Sequence, residues 1–387
     1  LFEQGQVTPI AHTAIELEMH KYLDDDRSLW YEVLGEFNFT PSAPTRDPER
    51  DEKALKEGRM LAILLYYISP WLLRWRGTQL PVELIIGEPG SGKSSLYELR
   101  QTIVTGYPRL SNMTLDINDW YAGITSRGGI HVLDNIHFTS ASKDYQQRLS
   151  DELCRLVTEP SPHVEMRKLY TNSEVLSLPV SCTFALTALE QPFYTTDLIQ
   201  RSAIFELEVI QKGHDAAWVR NQINRGEGRI GWVGHQLAAL HKFLHLAVAK
   251  GRWNDEYRAG HRLANYEQVL MIMAEALGME YDWIPGALKN QTATKLSETD
   301  WAMAGLEEFV NWVKEQHPDD FVKQRFGSGD IGDWADLHDN YCKNPTLTNP
   351  WRLGKYLRTH RGSIQKVLRM YENGTMNNKR VYSIEGD

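Results

Sequence analysis

Cysteine is scarce in this chain. Three residues in 387, Cys154, Cys182 and Cys342, stand far apart with no C-x-x-C pair among them. That spacing excludes a zinc knuckle and a disulfide framework, and it suits a reducing cytoplasm. Long apolar runs are also lacking. The most apolar stretch, Leu61 to Leu73, contains Pro70 and is too short to span a bilayer. It reads as a buried helix, and with no secretory leader in view the expectation is a cytoplasmic protein with no membrane partner. Positive charge is not in excess either. The net charge is −9, so any nucleic-acid surface has to be a local patch or a channel and not a general basic coat. A Met at the first position is missing as well, and with Leu1 there the chain reads as a piece of a longer protein.

What is present suffices for a globular protein. Hydrophobic residues make up 42% and charged residues 24%, and the length accommodates two or three domains of about 150 residues each. The most informative stretch is Gly87-Glu88-Pro89-Gly90-Ser91-Gly92-Lys93-Ser94, which satisfies G-x-x-x-x-G-K-[ST] at every fixed position. Pro81 to Ile86 before it reads as a buried strand, and Ser95 to Arg100 after it as the first turns of a helix. Such glycines let consecutive backbone N–H groups converge on one anion, and the helix N-terminus adds its positive end. The expectation is an ATP site lined by residues 87 to 95, with Lys93 reaching the outer phosphates and Ser94 holding Mg²⁺.

A second strand, Ile130 to Leu133, ends in Asp134-Asn135. A carboxylate at the tip of an apolar strand about forty residues after the lysine supplies the other half of the Mg²⁺ shell, so Asp134 joins Ser94 as a candidate metal residue. Asn135 cannot take a proton. Water activation then falls to another carboxylate, with Glu88, Asp151 and Glu152 as unranked candidates, or rests on positioning and charge stabilisation. Lys143 to Val157 reads as an amphipathic helix. Arg167-Lys168 lies at a hairpin, either between its strands or at the start of the returning one. Leu178 to Thr187 reads as a third strand whose terminal Thr187 would orient water at the terminal phosphate. Asp197 to Ser202 forms a short helix leading into a strand over Ala203 to Leu207, and Arg201 between them is placed either for an intrachain salt bridge or to reach a neighbouring subunit's nucleotide.

The runs Leu133-Asp134-Asn135-Ile136, Leu149 to Leu156, Arg167-Lys168-Leu169-Tyr170-Thr171 and Asp197 to Arg201, in that order, resemble the helicase-like ATPases of phages and mobile elements. These are similar to superfamily 3 helicases within the AAA+ class and often sit downstream of a primase or primase-polymerase module. The resemblance covers about residues 61 to 277. It implies that Asn135 is usual, that Arg201 is an arginine finger, and that Arg167 and Lys168 lie on a hairpin projecting into the central channel of a ring. Gln200, where an acid is common, and Thr187-Ala188-Leu189, where an Asn-Gly-Ile type sensor is common, depart from the pattern.

Residues 1 to 60 read as an N-terminal helical and linker region, with the aromatic-rich Leu29 to Phe39 as a surface for a partner. The ATPase core spans 61–210 and a helical region 211–290. His241 and His245 there are ordinary helix residues, since Lys242 stands where a zinc protease needs Glu. A linker over 285–300 leads to a C-terminal section, 300–387, that reads as a winged helix. Its helices fall at about Ala302 to Glu315, Asp330 to Tyr341 and Trp351 to Leu368, followed by a β-wing from Tyr371 to Ile384. Arg352, Lys355, Arg358, Lys379 and Arg380 cluster in it and suggest phosphate contact. The expectation is therefore an α/β chain: a superfamily 3-like ATPase core, helical flanks and a winged helix. It would work as a hexameric helicase or replication initiator, with single-stranded DNA in the channel and duplex at the winged helix. A protein-remodelling AAA+ ATPase and a nucleotide-gated DNA-binding module are the alternatives.

Overall fold

The structure, a computed structural model, describes residues 12–23, 28–40, 48–112, 116–126, 128–136, 143–167, 175–189, 192, 195–210, 217–263, 265–299, 301–318, 320–337, 347–359, 361–376 and 379–385. The chain divides into two compact units, Leu1–Gln291 and Thr292–Asp387.

The first unit is built on a mostly parallel six-stranded sheet. Its strands are β1 (Asn38–Thr40), β2 (Val82–Gly87), β3 (Ser111–Asn112), β4 (Gly129–Ile136), β7 (Cys182–Ala188) and β8 (Ser202–Glu208), in the spatial order β1-β8-β2-β7-β4-β3. Only β1 is antiparallel to its neighbour. All seven residues of β7 are buried, as expected for a central strand covered on both faces. Because β2, β4 and β7 run parallel, the turns after them open on one edge, where ligands of open α/β sheets bind.

Helices surround this sheet: α1 (His12–Tyr22), α2 (Leu29–Leu34), α3 (Pro48–Ile68), α4 (Lys93–Thr105), α5 (Ile117–Thr125), α6 (Lys143–Thr158), α7 (Thr196–Ile199), α8 (Trp218–Arg225), α9 (Gly228–Leu244), α10 (Tyr266–Ala276) and α11 (Ile284–Thr299). The apolar run from Leu61 is the buried end of α3, which stops at Ile68 before Ser69-Pro70, where the residue preceding proline is disfavoured in a helix. Two segments differ from expectation. The aromatic stretch from Leu29 packs largely on its own chain, with Tyr31 left exposed. Trp30 contacts Tyr66 and Trp232, and Phe39 in β1 meets Phe205 of β8. The expected linker over 285–300 is α11, anchored by buried Ile284, Ala287 and Leu288.

The expected single strand over 178–187 is two strands. The first part belongs to a separate antiparallel hairpin of β5 (His163–Arg167) and β6 (Val175–Pro179), and the second part is β7 in the main sheet. Pro179 ends the hairpin strand, consistent with proline's exclusion from a continuing ladder.

The second unit contains α12 (Trp301–Gln316), α13 (Ser328–Asp336), α14 (Pro350–Thr359), α15 (Arg361–Leu368) and the hairpin of β9 (Met370–Met376) and β10 (Lys379–Ile384). The helix expected over Trp351 to Leu368 is thus two. Phe326 bridges to Tyr382. The core gathers Leu306, Phe309, Ile331, Trp334, Leu353, Leu357, Ile364 and Ile384.

Candidate functional site

The glycine-rich turn leaves β2 at Gly87 and enters α4 at Lys93. A Cβ at Gly87 would lie 2.2 Å from the Leu207 carbonyl oxygen of β8, so only glycine fits there. Gly90 and Gly92 take φ of 87° and 84°, the left-handed region that glycine enters without a side-chain clash. Gly92 caps α4 without a side-chain hydrogen bond, which leaves first-turn N–H groups facing the cleft. Pro89, Gly90, Gly92, Lys93, Ser94, Ser95, Asp134, Asn135, Thr187 and Leu189 line this cleft of about 460 Å³.

Lys93 is 8% exposed. Its Nζ donates to the Gly87 carbonyl, to the Glu88 carbonyl at 3.0 Å and to Ser91 Oγ at 3.3 Å. Burial lowers its pKa, while Asp134 and Glu88 oppose that shift. A desolvated cation among carbonyl dipoles and uncapped N–H groups is suited to an anion.

Opposite it, Ser94 Oγ donates to the two oxygens of Asp134 at 2.9 and 3.1 Å. The helix start and the strand tip therefore place two hard oxygen donors side by side. This donor set fits a Mg²⁺ ion that keeps much of its water and phosphate shell, since such an ion needs few protein ligands. Among the described residues no group of three or more His, Cys, Asp or Glu side chains could hold a metal.

Thr187 comes to the same place from β7. Its hydroxyl donates to Asp134 Oδ1 at 2.6 Å and accepts from the Asn135 N–H at 2.7 Å. The register explains this double contact. Leu133 pairs with Leu186 and Ile136 with Ala188, so Asp134 and Asn135 both face Thr187, a bulge of two residues against one. Asn135 takes φ of 54° there.

None of the three carboxylates offered for water activation is among the residues lining this cleft. Glu88 lines a neighbouring cleft with Thr40, Ile86, Glu206 and Val209. Asp151 accepts from Gln147 at 2.8 Å, and Glu152 pairs with Arg155 at 2.8 Å. Glu98 lies four positions after Ser94 on α4. Burial raises its pKa, and the nearby Asp134 raises it further.

Arg201 is 8% exposed and ion-paired with Asp197, whose carbonyl it also bonds at 2.9 Å. Burial would raise the Asp197 pKa, but hydrogen bonds from Arg201 and from the Cys154 thiol hold it below the ordinary value. The same contact helps push the thiol, already raised by burial, up to about 12. Arg201 immediately precedes β8, and Ser202 pairs with Val82 at the start of β2. The loop leaves the far end of β2, five strand steps or about 17 Å away.

Of the expected DNA contacts, Arg167 ends β5 opposite Val175, on the outgoing strand of the hairpin and not the returning one. Lys168 lies outside the described residues. In the second unit Arg352 and Arg358 on α14 are exposed. Arg380 is also exposed but pairs with both Glu372 oxygens at 2.8 Å. Lys355 lies on α14 and Lys379 starts β10. No helix among the described residues is long and apolar enough to cross a membrane.

No protein-family model matches the chain, and no curated protein matches it. Among solved structures, two of the C-terminal region of NrS-1 align with 93% and 98% of this chain and 75% and 78% of theirs. Both are 11% identical, with TM-scores of 0.37 and 0.39. A likeness that loose carries no argument about what this chain does.

Proposed function

We propose that the chain is an ATP-hydrolysing motor acting on DNA, in which one copy binds the nucleotide and an adjacent copy completes the site. The observation that carries the proposal is the convergence of Ser94 and Asp134 at the head of α4, in the same cleft as Lys93 and the glycine turn. A Mg²⁺ ion held by Ser94 and Asp134 would neutralise charge on the outer phosphates. Lys93 binds the same phosphates directly, the N–H groups of residues 90 to 95 cradle them, and Thr187 fixes the Asp134 carboxylate.

The assignment of Arg201 to a neighbour's nucleotide rests on reach. An arginine about five strand steps from its own loop has no path to that cleft, so a finger role requires a second copy. Repeating that contact around a closed axis would give a ring, and the resemblance to ring-forming ATPases makes a hexamer the proposed size. The hairpin of β5 and β6 would face the strand through Arg167 and Lys168. The second unit, with its helices followed by a β-hairpin, would be the winged helix, holding duplex through Arg352, Lys355, Arg358 and Lys379, with Arg380 shared with Glu372. By the same resemblance, a primase module would be a further partner of that assembly.

Steady-state turnover of Mg²⁺-ATP, with and without single-stranded DNA, tests the proposal. The wild-type chain should hydrolyse ATP and be stimulated by the strand, and Lys93→Ala should bring turnover to background with the unfolding midpoint unchanged. Turnover that persists in Lys93→Ala would remove the cleft from the chemistry. Robust turnover with no response to DNA would favour a protein-remodelling ATPase, and DNA binding gated by nucleotide without strand displacement would favour a binding module.

A further inference from the structure

We propose that Asp197 holds Arg201 idle and that Arg262 competes for the same carboxylate and frees it, so that hydrolysis waits for a neighbouring copy. The inference rests on the reading of Arg201 as a residue that reaches a neighbour's nucleotide, and it adds the control of that residue.

The first observation is how Arg201 is held. Its N–H donates to the Leu198 carbonyl and its own carbonyl accepts from the Val82 N–H, both at 2.9 Å. The backbone is thus anchored on both sides, and any change falls to the side chain. That side chain folds back on α7. Its Nη1 meets the Asp197 carboxylate and donates to the Asp197 carbonyl at 2.9 Å. A guanidinium so covered and so neutralised offers little to a phosphate arriving from outside. The second observation is that this resting place fits incompletely. The Arg201 Nε is buried and has no hydrogen-bond partner among the described residues. A buried donor left unsatisfied is costly, so the ion pair with Asp197 is what keeps the side chain there.

The third observation is a rival cation. Arg262, in the segment before α10, lies 3.6 Å from the same Asp197 oxygen and is 54% exposed. The carboxylate between the two arginines sits on a fixed platform. Leu198 and Ile199 of α7 are buried, the Cys154 thiol of α6 donates to Asp197, and Ser150 of α6 bonds Thr195 just before α7 at 2.5 Å. Asp197 therefore stays in place while its arginine partner can be exchanged.

The exchange needs no bond made or broken. The outer phosphates of a neighbour's nucleotide carry more negative charge than one carboxylate and accept two parallel bonds from a guanidinium, so they draw Arg201 away. Arg262 then remains as the counter-ion of Asp197, which is not left unpaired beside Cys154. Activity scales with the fraction of chains in which Arg201 is free. The two arginines compete, so each substitution has a sign: losing the Asp197 charge raises that fraction, and losing Arg262 lowers it.

Wild type, Asp197→Asn, Arg262→Ala, the double variant Asp197→Asn/Arg262→Ala and Arg201→Ala would be compared in three ways. These are Mg²⁺-ATP turnover with single-stranded DNA, the rate at which phenylglyoxal modifies Arg201 in nucleotide-free chain, read by peptide mass spectrometry, and the unfolding midpoint. Asp197→Asn should turn over about two- to fivefold faster than wild type, the scale for removing one partly exposed ion pair, and its Arg201 should be modified faster. Arg262→Ala should be slower in both, and the double variant should follow Asp197→Asn. If Asn at position 197 lowers the midpoint, Arg262→Ala decides, since that side chain is exposed and its effect has the opposite sign. Asp197→Asn at or below wild-type turnover with its midpoint kept, or Arg262→Ala at or above it, would overturn the inference. The reading of Arg201 would still stand if Arg201→Ala had lost turnover. Arg201→Ala with wild-type turnover would overturn both.

Discussion

Glu83 and Arg100 offer the sharpest test of how the loop is held. Glu83 lies in β2 just before the glycine turn, and Arg100 lies in α4 just after it. Both side chains are 1% exposed. The guanidinium meets both carboxylate oxygens and sits 3.7 Å from the Tyr66 ring centroid. Arg100→Met leaves Glu83 as an unpaired buried anion, at a cost of about 3–5 kcal/mol, and forfeits a cation–π contact of up to about 2 kcal/mol. Glu83→Leu is at least as damaging, because arginine does not deprotonate in proteins. The double variant Glu83→Leu/Arg100→Met replaces the pair with apolar volume and should fall within about 1–2 kcal/mol of wild type, since such swaps are often neutral. Urea unfolding followed by tryptophan fluorescence reads all three, with nucleotide Kd measured alongside. The single variants should lose midpoint and affinity together, and the double variant should recover both. A double variant whose loss equals the sum of the singles within about 0.5 kcal/mol would refute the coupling.

Other predictions concern the rest of the site. Gly87→Ala forces a methyl to 2.2 Å from the Leu207 carbonyl oxygen; it should cost about 1–3 kcal/mol, as overpacking does, and weaken nucleotide binding, whereas Gly286→Ala, with nothing within 4 Å, should not destabilise the chain. Arg201→Ala should bind nucleotide but lose about 10³ in rate, and mixing it with Lys93→Ala chains should restore part of the activity if the residue acts between copies. The Asp197 pKa is lowered on folding, so its contribution is present in full above the unfolded value of about 3.8 and is lost as pH falls below it; Asp197→Asn should flatten that acid limb of the stability profile. Ala at Arg167 and Lys168 should uncouple turnover from the strand, while Ala at Arg352, Lys355 and Arg358 should make the salt dependence of binding shallower by about one unit per lost phosphate contact.

The site was more legible than the packing around it, for a physical reason. A glycine-rich strand-to-helix turn and a strand ending in a carboxylate are written in a few adjacent residues, so the geometry around Gly87 to Ser94 and Asp134 could be read directly. Thr187 was visible as a polar strand end, but its bond to Asp134 depends on a bulge that only the β4–β7 register reveals. Non-local pairings were out of reach. The burial of Trp30 needs Trp232, and β1 exists as a strand only because β8 lies beside it. Glu83 was the missed local clue, since a charge inside an apolar strand calls for a buried partner. The segment over 285–300 looked like a linker because of Pro285, Gly286 and its polar residues. Yet proline is tolerated in a helix's first turn, and three apolar anchors were enough to dock it.

Everything proposed for this chain depends on the cleft binding a Mg²⁺-nucleoside triphosphate. Titration calorimetry of wild-type chain with a non-hydrolysable ATP analogue, with and without Mg²⁺, and of Lys93→Ala and Ser94→Ala, tests it most directly. Wild type should show saturable one-site binding that weakens when Mg²⁺ is withheld, Lys93→Ala should lose at least about tenfold in affinity, and Ser94→Ala should lose the Mg²⁺ dependence. Wild-type chain that binds no nucleotide, or binding that neither substitution alters, would contradict it.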